Sequence, residues 1–386
     1  MNLKKIKMKK VTALFLTVLA GQFIYAQKVV RPITTGVPFL LISGDARSSG
    51  MGDIGVATSS DVFSQQHNAA KYAFATQAQG FSVNYSPYMS KISSDMALGQ
   101  LTYFNKFNER SAIGASLRYF GMGEMEFRDS YQSSSIIKKP NEFAVDISYS
   151  LKLSDRFGMA VVGRFINSNL RMPELDGSNS MASQVAVDIA GFYESDVIRF
   201  STFDGRWRAG FNIQNLGPKI KYEDEQYGSF LPANLKLGGS FDFIIDQQNT
   251  LTISGELNKL LVPTPPEYRN DPEALIEYND TGWLKGVFKS FGDAPNGFSE
   301  ELKEVAWSLG AEYWYDNKFA FRTGYFHESP EKGARQYATL GAGFKYNMMA
   351  IDLSYLFSTS KINNPMENTL RFSLTFDLGR KTYRRG

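Results

Sequence analysis

From about residue 80 onward, apolar and polar side chains alternate with a period of two, the pattern of strands with one apolar face. The last strand is the clearest: Leu370, Phe372, Leu374, Phe376 and Leu378 share one face, and Arg371, Ser373, Thr375 and Asp377 the other. The same alternation runs through Phe143, Val145, Ile147, Tyr149 and Leu151, through Val185, Val187, Ile189 and Tyr193, and through Met349, Ile351, Leu353, Tyr355 and Phe357. It predicts fourteen strands, near 81–86, 96–105, 111–121, 143–152, 157–166, 184–194, 206–215, 234–243, 250–258, 306–315, 319–326, 337–346, 349–357 and 370–378. Most approach the roughly 9–11 residues that a tilted strand needs to cross a bilayer.

Two regularities support a barrel in a membrane. The first is the direction of charge. Arg118, Asp146, Arg164, Asp188, Arg208, Lys236, Asp242, Glu256, Glu312, Arg322, Lys345, Asp352, Arg371 and Asp377 all lie opposite the apolar face. A Lys or Arg turned to lipid at mid-depth would cost roughly 2–4 kcal/mol. The second is loop length. Counted from a periplasmic N-terminus, the connections around 106–110, 152–156, 244–249, 316–318 and 347–348 are periplasmic and short. Those around 121–142, 167–183, 216–233, 259–305 and 358–369 are extracellular and long. One periplasmic turn, 194–205, is longer than this rule expects. In lipid an open sheet edge would leave backbone groups unpaired, so the sheet must close. The predicted fold is therefore all-β: a 14-stranded antiparallel transmembrane β-barrel. A soluble sandwich would also alternate, but with shorter strands and its polar face outward.

Composition agrees. Aromatics make up 14% of the 386 residues, with 33 Gly, yet 21% are charged, too many for a helical membrane protein. The formal charge of +3 argues against a nucleic-acid partner, which selects a basic face. Zero cysteine excludes a disulfide scaffold, a thiolate metal site and a lipoprotein anchor. Lys4, Lys5, Lys7, Lys9 and Lys10 precede an apolar stretch at 11–20 that is too short to span a bilayer. This reads as a secretory signal, with cleavage after Ala26. The expected organisation is a signal peptide at 1–26, an N-terminal hatch at 27–80, the barrel at 81–378 and a periplasmic tail at 379–386.

Inward-facing acids and bases are nearly balanced, which fits cross-strand pairs in a filled interior better than an ion-selective pore. The roughly fifty residues before the first strand carry Gly44, Gly50, Gly52 and Gly55 and a short helical stretch at 61–73. They read as a plug folded into the lumen rather than a linker.

The connection at 259–305 far exceeds ordinary loops, whose median is about 4–6 residues. Leu260, Leu261, Val262 and Pro263 open it with a stiff apolar segment. Trp283, Val287, Phe288 and Phe291 recur at helical spacing, and Phe298 follows. Ser299 is placed to cap a further short helix with Glu300 and Glu301 in its first turn. So many apolar groups in one extracellular loop predict a partner-binding element; the alternative is a lid over the barrel's own mouth.

Catalytic chemistry is poorly supplied. Histidines are two, His67 and His327, expected in the hatch and at the extracellular end. Gly50-Met51-Gly52 has neither the strand-to-helix context nor the Gly-Lys-Ser/Thr of a phosphate loop. The expectation is no enzyme, no metal and no cofactor.

The segment Asp45-Ala46-Arg47-Ser48-Ser49-Gly50-Met51-Gly52-Asp53-Ile54-Gly55-Val56-Ala57, followed by His67-Asn68-Ala69-Ala70, resembles the hatch of the FadL-like barrels, which often carry Trp-Asn-Pro-Ala at the second place. Further motifs come in order: Asn215-Leu216-Gly217-Pro218, Leu231-Pro232-Ala233-Asn234, Glu256-Leu257-Asn258-Lys259-Leu260-Leu261-Val262-Pro263-Thr264, Phe291-Gly292-Asp293-Ala294-Pro295-Asn296-Gly297-Phe298 and Gly310-Ala311-Glu312-Tyr313-Trp314-Tyr315. Together these resemble the PorV family of the type IX secretion system of Bacteroidetes. The resemblance implies fourteen strands in the outer membrane and a role as secretion adaptor. It implies association with the giant translocon barrel (SprA or Sov), acceptance of cargo through C-terminal signal domains, and transfer to a cell-surface attachment complex with a PorU-like sortase. The competing function is that of FadL itself, a channel for hydrophobic small molecules, which wants an apolar pocket beside the hatch. A lipid deacylase would need an oriented nucleophile and base.

Overall fold

The structure is a computed structural model and describes residues 30–88, 95–127, 136–170, 181–222, 226–266, 271–360 and 369–380. The expected signal peptide, the first residues of the expected hatch and nearly all of the expected C-terminal tail lie outside these residues.

Fourteen antiparallel strands close a barrel: β1 (Gln77–Pro87), β2 (Ala97–Lys106), β3 (Ser111–Gly121), β4 (Asn141–Lys152), β5 (Phe157–Asn169), β6 (Met181–Glu194), β7 (Asp204–Leu216), β8 (Asn234–Ile244), β9 (Asn249–Leu260), β10 (Val305–Tyr315), β11 (Phe319–His327), β12 (Gln336–Tyr346), β13 (Met349–Ser358) and β14 (Leu370–Arg380). Each pairs with its sequence neighbours, and β1 with β14 (Phe81↔Phe376), so no edge remains. All the strands read from the sequence are present. β1 begins four residues earlier than expected, at Gln77, because its first outward positions are Gln77 and Gln79 rather than apolar residues. Two small additions are the hairpin of Met125–Phe127 with Ile136–Lys138 in an extracellular loop and the pairing of Ile198–Arg199 with β7 at the periplasmic rim.

The apolar set faces outward: Leu117, Ile147, Val161, Val185, Phe321 and Leu340 are all exposed on the barrel wall, as lipid requires. Apart from the connection between β6 and β7, the periplasmic turns are short. Asp316 and Asn317 both have positive φ, 53° and 50°, the geometry of a type I′ hairpin, which Asn and Asp tolerate better than other side chains. The ladder slips between Ile213 and Leu216, where Asn215 sits at φ 58°. Its side chain accepts from Arg164 and donates to the Pro232 carbonyl at 2.9 Å, so the bulge is held from both sides.

Inside, the fourteen inward charges named from the sequence are all paired. Arg164 lies between Asp146 (2.6 Å) and Asp188 (2.9 Å), and Arg118 is 3.7 Å from Asp146. Arg208 bridges Glu194 and Asp242, and Arg322 bridges Glu312 and Asp352. Lys236 faces Glu256, Lys345 faces Asp377, and Arg371 reaches the hatch residue Asp53.

The N-terminal segment fills the lumen, and its direction differs from a simple periplasmic start. Its first described residues lie at the extracellular mouth: the Arg31 amide donates to the Glu331 carbonyl (2.9 Å) and the Gly36 amide to the Phe230 carbonyl (2.8 Å), both in extracellular connections. From there the chain descends through the barrel to β1 at the periplasmic rim. Apolar periodicity carries no information about such a path, because every residue of a plug is enclosed. Since the chain has no cysteine, Val30→Cys, at an exposed position, should be labelled on intact cells by a membrane-impermeant maleimide, whereas Asp155→Cys in a periplasmic turn should not. The reverse pattern would invert the assigned path.

Candidate functional site

Three layers of the hatch account for how the lumen is sealed. At the top, a 3-10 turn, Pro38–Leu41, puts Val37, Phe39 and Leu40 into an apolar cluster with Leu98, Phe120, Ile166, Ile220 and Leu231. At the bottom, a helix at Ser64–His67 and a 3-10 turn at Ala69–Phe74 replace the single helix expected at 61–73. The break is Asn68, whose extended backbone frees its side chain to cap Ala70 and to donate to the Val56 and Gly191 carbonyls, each at 2.9 Å. Tyr72 then stacks on Phe104 and Phe74 meets Phe192, closing an apolar seal against β2–β6.

Between these seals the hatch is held by polar contacts. Arg47 grips Glu312 with two bonds of 2.9 and 2.7 Å and also reaches Asp61 at 2.6 Å. The Glu256 carboxylate accepts from the Gly55 and Val56 amides, both at 2.9 Å. Asp53 receives Tyr337 and Arg371. Asp45 caps the short helix Ala46–Ser49 and pairs with His67 Nε2 at 2.7 Å. His67 is thus a hydrogen-bond partner within the hatch. His327, at the extracellular end of β11, stacks on Trp307.

Gly50, Met51 and Gly52 lie backbone-to-backbone on a glycine floor of the wall. A Cβ on Gly50 would come 3.1 Å from Gly341 Cα, and one on Gly310 would come 2.5 Å from the Met51 carbonyl oxygen. Gly52, at φ +75°, lies 3.0 Å from the Tyr325 backbone by the same measure. The hatch glycines were singled out from sequence; their partners Gly310, Gly324 and Gly341 were not. The available signal was glycine at inward strand positions, where close backbone approach is the usual reason.

Two open volumes among the described residues carry charged groups alongside apolar ones. A cavity of about 650 Å³ beneath the hatch is lined by Arg47, Asp61, Glu312, Arg322, Lys345 and Asp352 among others. A smaller one of about 70 Å³ near the mouth includes Asp53, Lys236, Glu304, Lys332 and Arg335.

The long extracellular loop is folded. Its helices are Pro272–Asp280, Trp283–Lys289 and Phe298–Glu301. The first was not read from the sequence, although Asp271 and Pro272 mark its start; none of its residues is fully buried, and its Tyr278 meets Phe230. The third starts after Gly297, and Ser299 lies inside its first turn instead of capping it; Glu300 and Glu301 stand in that turn as expected. The predicted partner-binding residues divide into two groups. Leu261, Val262 and Pro263 are buried, with the Leu261 amide donating to Ala233, and Leu260 is half-buried. Trp283 and Val287 are half-buried. Phe288, Phe291 and Phe298 are exposed, to 72%, 54% and 77%. The loop's stem therefore packs into the mouth, while its helices turn apolar groups outward.

A cluster of charges ties stem and helices together. Lys259 bonds Glu301 and Glu304, Lys332 bonds Glu300 and Glu304, and Thr264 donates to Glu304 and, from its amide, to Asp293. The carboxylates of Asp293, Glu301 and Glu304 converge as cation ligands do, but two lysines already neutralise the glutamates. Burial, and then the negative Glu304 and Glu301, push the Asp293 carboxyl up to about 6. Burial also raises Glu304, but its bonds to Lys259, Thr264 and Lys332 outweigh this and hold it below the usual range. A carboxyl raised on docking takes up a proton as pH falls through about 6, so the docked loop gains stability from pH 7.5 to 5.5. Below the ordinary range of glutamate the lowered group is protonated and that stabilisation is lost. Hydrogen exchange across 261–304 should slow from pH 7.5 to 5.5, after correction for intrinsic rates, and Asp293→Asn should abolish the difference.

A closed fourteen-strand barrel whose N-terminal chain fills its lumen is an outer-membrane protein of the FadL-like fold. Solved structures with that fold include the Pseudomonas putida toluene transporter TodX (TM-score 0.51, 11% identity, covering 88% of this chain and 99% of that one). A TodX monoaromatic hydrocarbon channel mutant lacking S2 and S3 is also similar (TM-score 0.52, 11% identity, 86% and 97% covered). At that identity the likeness speaks for the fold alone. The family model for the type IX secretion system protein PorV matches residues 25–267, and the chain belongs to that family: it is an outer-membrane component of type IX protein secretion. No curated protein matches the sequence.

Proposed function

We propose that the protein is an adaptor of type IX secretion: it binds the giant translocon barrel (SprA or Sov), accepts cargo by C-terminal signal domains and passes it to an attachment complex with a PorU-like sortase. The observation that carries this reading is the extracellular loop, which exposes Leu284, Phe288, Phe291 and Phe298 on a barrel sealed from within. Exposed aromatic anchors on a rigid base suit protein contacts. The hydrocarbon-channel reading is less well supported, because Arg47, Asp61, Glu312, Arg322 and Asp352 stand among the residues lining the open volume beneath the hatch and the upper apolar cluster is filled by the chain's own Val37, Phe39 and Leu40.

The test replaces Leu284, Phe288, Phe291 and Phe298 with Ser together, leaving the buried Leu261 and Val262 intact. Expected is loss of co-purification with the translocon barrel or with cargo, by tenfold or more if each anchor contributes on the order of 1 kcal/mol. Wild-type capture of both by a correctly assembled variant would defeat the assignment. Normal secretion in a deletion strain, with loss of growth on a hydrophobic carbon source, would favour the channel.

A further inference from the structure

The periplasmic connection between β6 and β7 is the one that sequence marked as too long, and neither the hatch nor the extracellular loop gives it a role. It does not hang below the barrel. Phe200 and Phe203 stack at 4.8 Å, and both rings lie against the wall: Phe200 and Phe203 are each 6.5 Å from Phe241, and Phe203 is 5.3 Å from Phe243.

The register says which side of the wall this is. Arg208 and Ser240 are opposed and both point inward, Ser240 to the hatch carbonyl of Ala57. Trp207 with Phe241, and Gly205 with Phe243, therefore point outward, to lipid. Gly205 is buried even so, because the Phe200 ring covers it; a Cβ there would come 2.7 Å from both Phe200 and Phe241. The turn thus folds back along the outer surface and builds an aromatic ledge on it. Val197, Ile198 and Phe200 remain exposed on the ledge, and Arg199 stands exposed beside them.

We propose that this ledge is a membrane anchor, inserted among the lipids of the periplasmic leaflet, with Arg199 at the level of their phosphates. The lipid assignment rests on continuity. Phe107, Leu153, Ile245, Phe319 and Tyr346, from other periplasmic turns or strand ends, are exposed around the same rim, so the ledge continues a boundary already facing the bilayer. Aromatic rings favour that interface, and a guanidinium can reach the phosphates from an apolar base. The ledge is confined to one sector of the barrel, so it fixes the tilt of that side more firmly than the others.

Because the chain has no cysteine, single spin labels are unambiguous. The full mature protein carrying Ile198→Cys is reconstituted in vesicles of phosphatidylethanolamine and phosphatidylglycerol. Phe321→Cys on the mid-wall and Asp155→Cys in an exposed periplasmic turn are the lipid and water standards. Collision with oxygen and with a water-soluble nickel chelate is measured by power saturation. The expected ratio of oxygen to nickel accessibility at position 198 is several-fold above that at 155 and approaches that at 321. A ratio matching position 155, with the barrel assembled, overturns the proposal and leaves the ledge to a protein partner. Adding Phe200→Ser and Phe203→Ser to Ile198→Cys should shift the label toward water; no shift would mean that the rings do not hold the turn in the bilayer.

Discussion

With its lumen occupied by the hatch, the barrel should carry no steady porin-sized current in planar bilayers, and Gly324→Val should open it. Gly324 on β11 is paired with Gly310 on β10, and together they form the floor on which Met51 rests. A Cβ at Gly324 would fall far inside van der Waals contact of the Met51 carbonyl carbon and the Gly52 amide nitrogen. Both are backbone atoms, so no side chain can rotate away. Overpacking a close-packed contact costs typically 1–3 kcal/mol even where side chains can adjust. Here the hatch apex must lift, and with it the contacts of Asp53 to Tyr337 and Arg371. The strand itself accepts valine readily, since β-branched residues suit it. A heat-modifiable band on gels would therefore report an assembled barrel, while conductance and amide exchange of 45–60 report the hatch. Unchanged conductance and exchange in the assembled variant would show that the glycine floor does not seat the hatch.

The wall was legible in the sequence because lipid enforces a rule on every second residue. Phe321 must face out and Arg322 in, and a slip by one would cost an exposed charge in hydrocarbon. The partners of those inward charges were open, yet balance alone implied pairing, and Arg164 between Asp146 and Asp188 is an instance. The hatch was legible as a unit but not as a path. Its glycines announced close approach, whereas the position of Arg31 at the extracellular mouth depends on contacts with residues 331 and 300, far away in sequence. The loop shows the limit of apolar content as a guide. Val262 and Phe288 are equally apolar on paper, but the first is fully enclosed by the mouth and the second is 72% exposed. Only the fold of the neighbouring connection, which offers the Ala233 carbonyl to Leu261, tells them apart.

Arg47 is where the hatch is bound most tightly to the wall, and Arg47→Met should be the most damaging single change within it. The guanidinium forms a bidentate pair with Glu312, donates to Asp61, and reaches the Ser59 hydroxyl at 2.8 Å. It is 7% exposed, and Glu312 only 2%. Removing one member of a buried ion network strands the others, at a cost of about 3–5 kcal/mol. Glu312 would retain Arg322, but Asp61 would retain only the Ser64 hydroxyl, at 2.8 Å, and the more distant Lys71, 3.9 Å away. Since about 1.4 kcal/mol is a factor of ten, amide exchange across 45–75 should accelerate by roughly two to three and a half decades if it proceeds through hatch release. Arg47→Lys should recover little, because an ammonium cannot span both Glu312 oxygens and Asp61 at once. Combining Arg47→Met with Asp61→Asn should restore part of the loss by removing the carboxylate left without its arginine, and the double-mutant cycle measures how much of the effect belongs to that pair. If the hatch of Arg47→Met exchanges at the wild-type rate, Arg47 does not hold the plug, and its other contacts to the wall suffice.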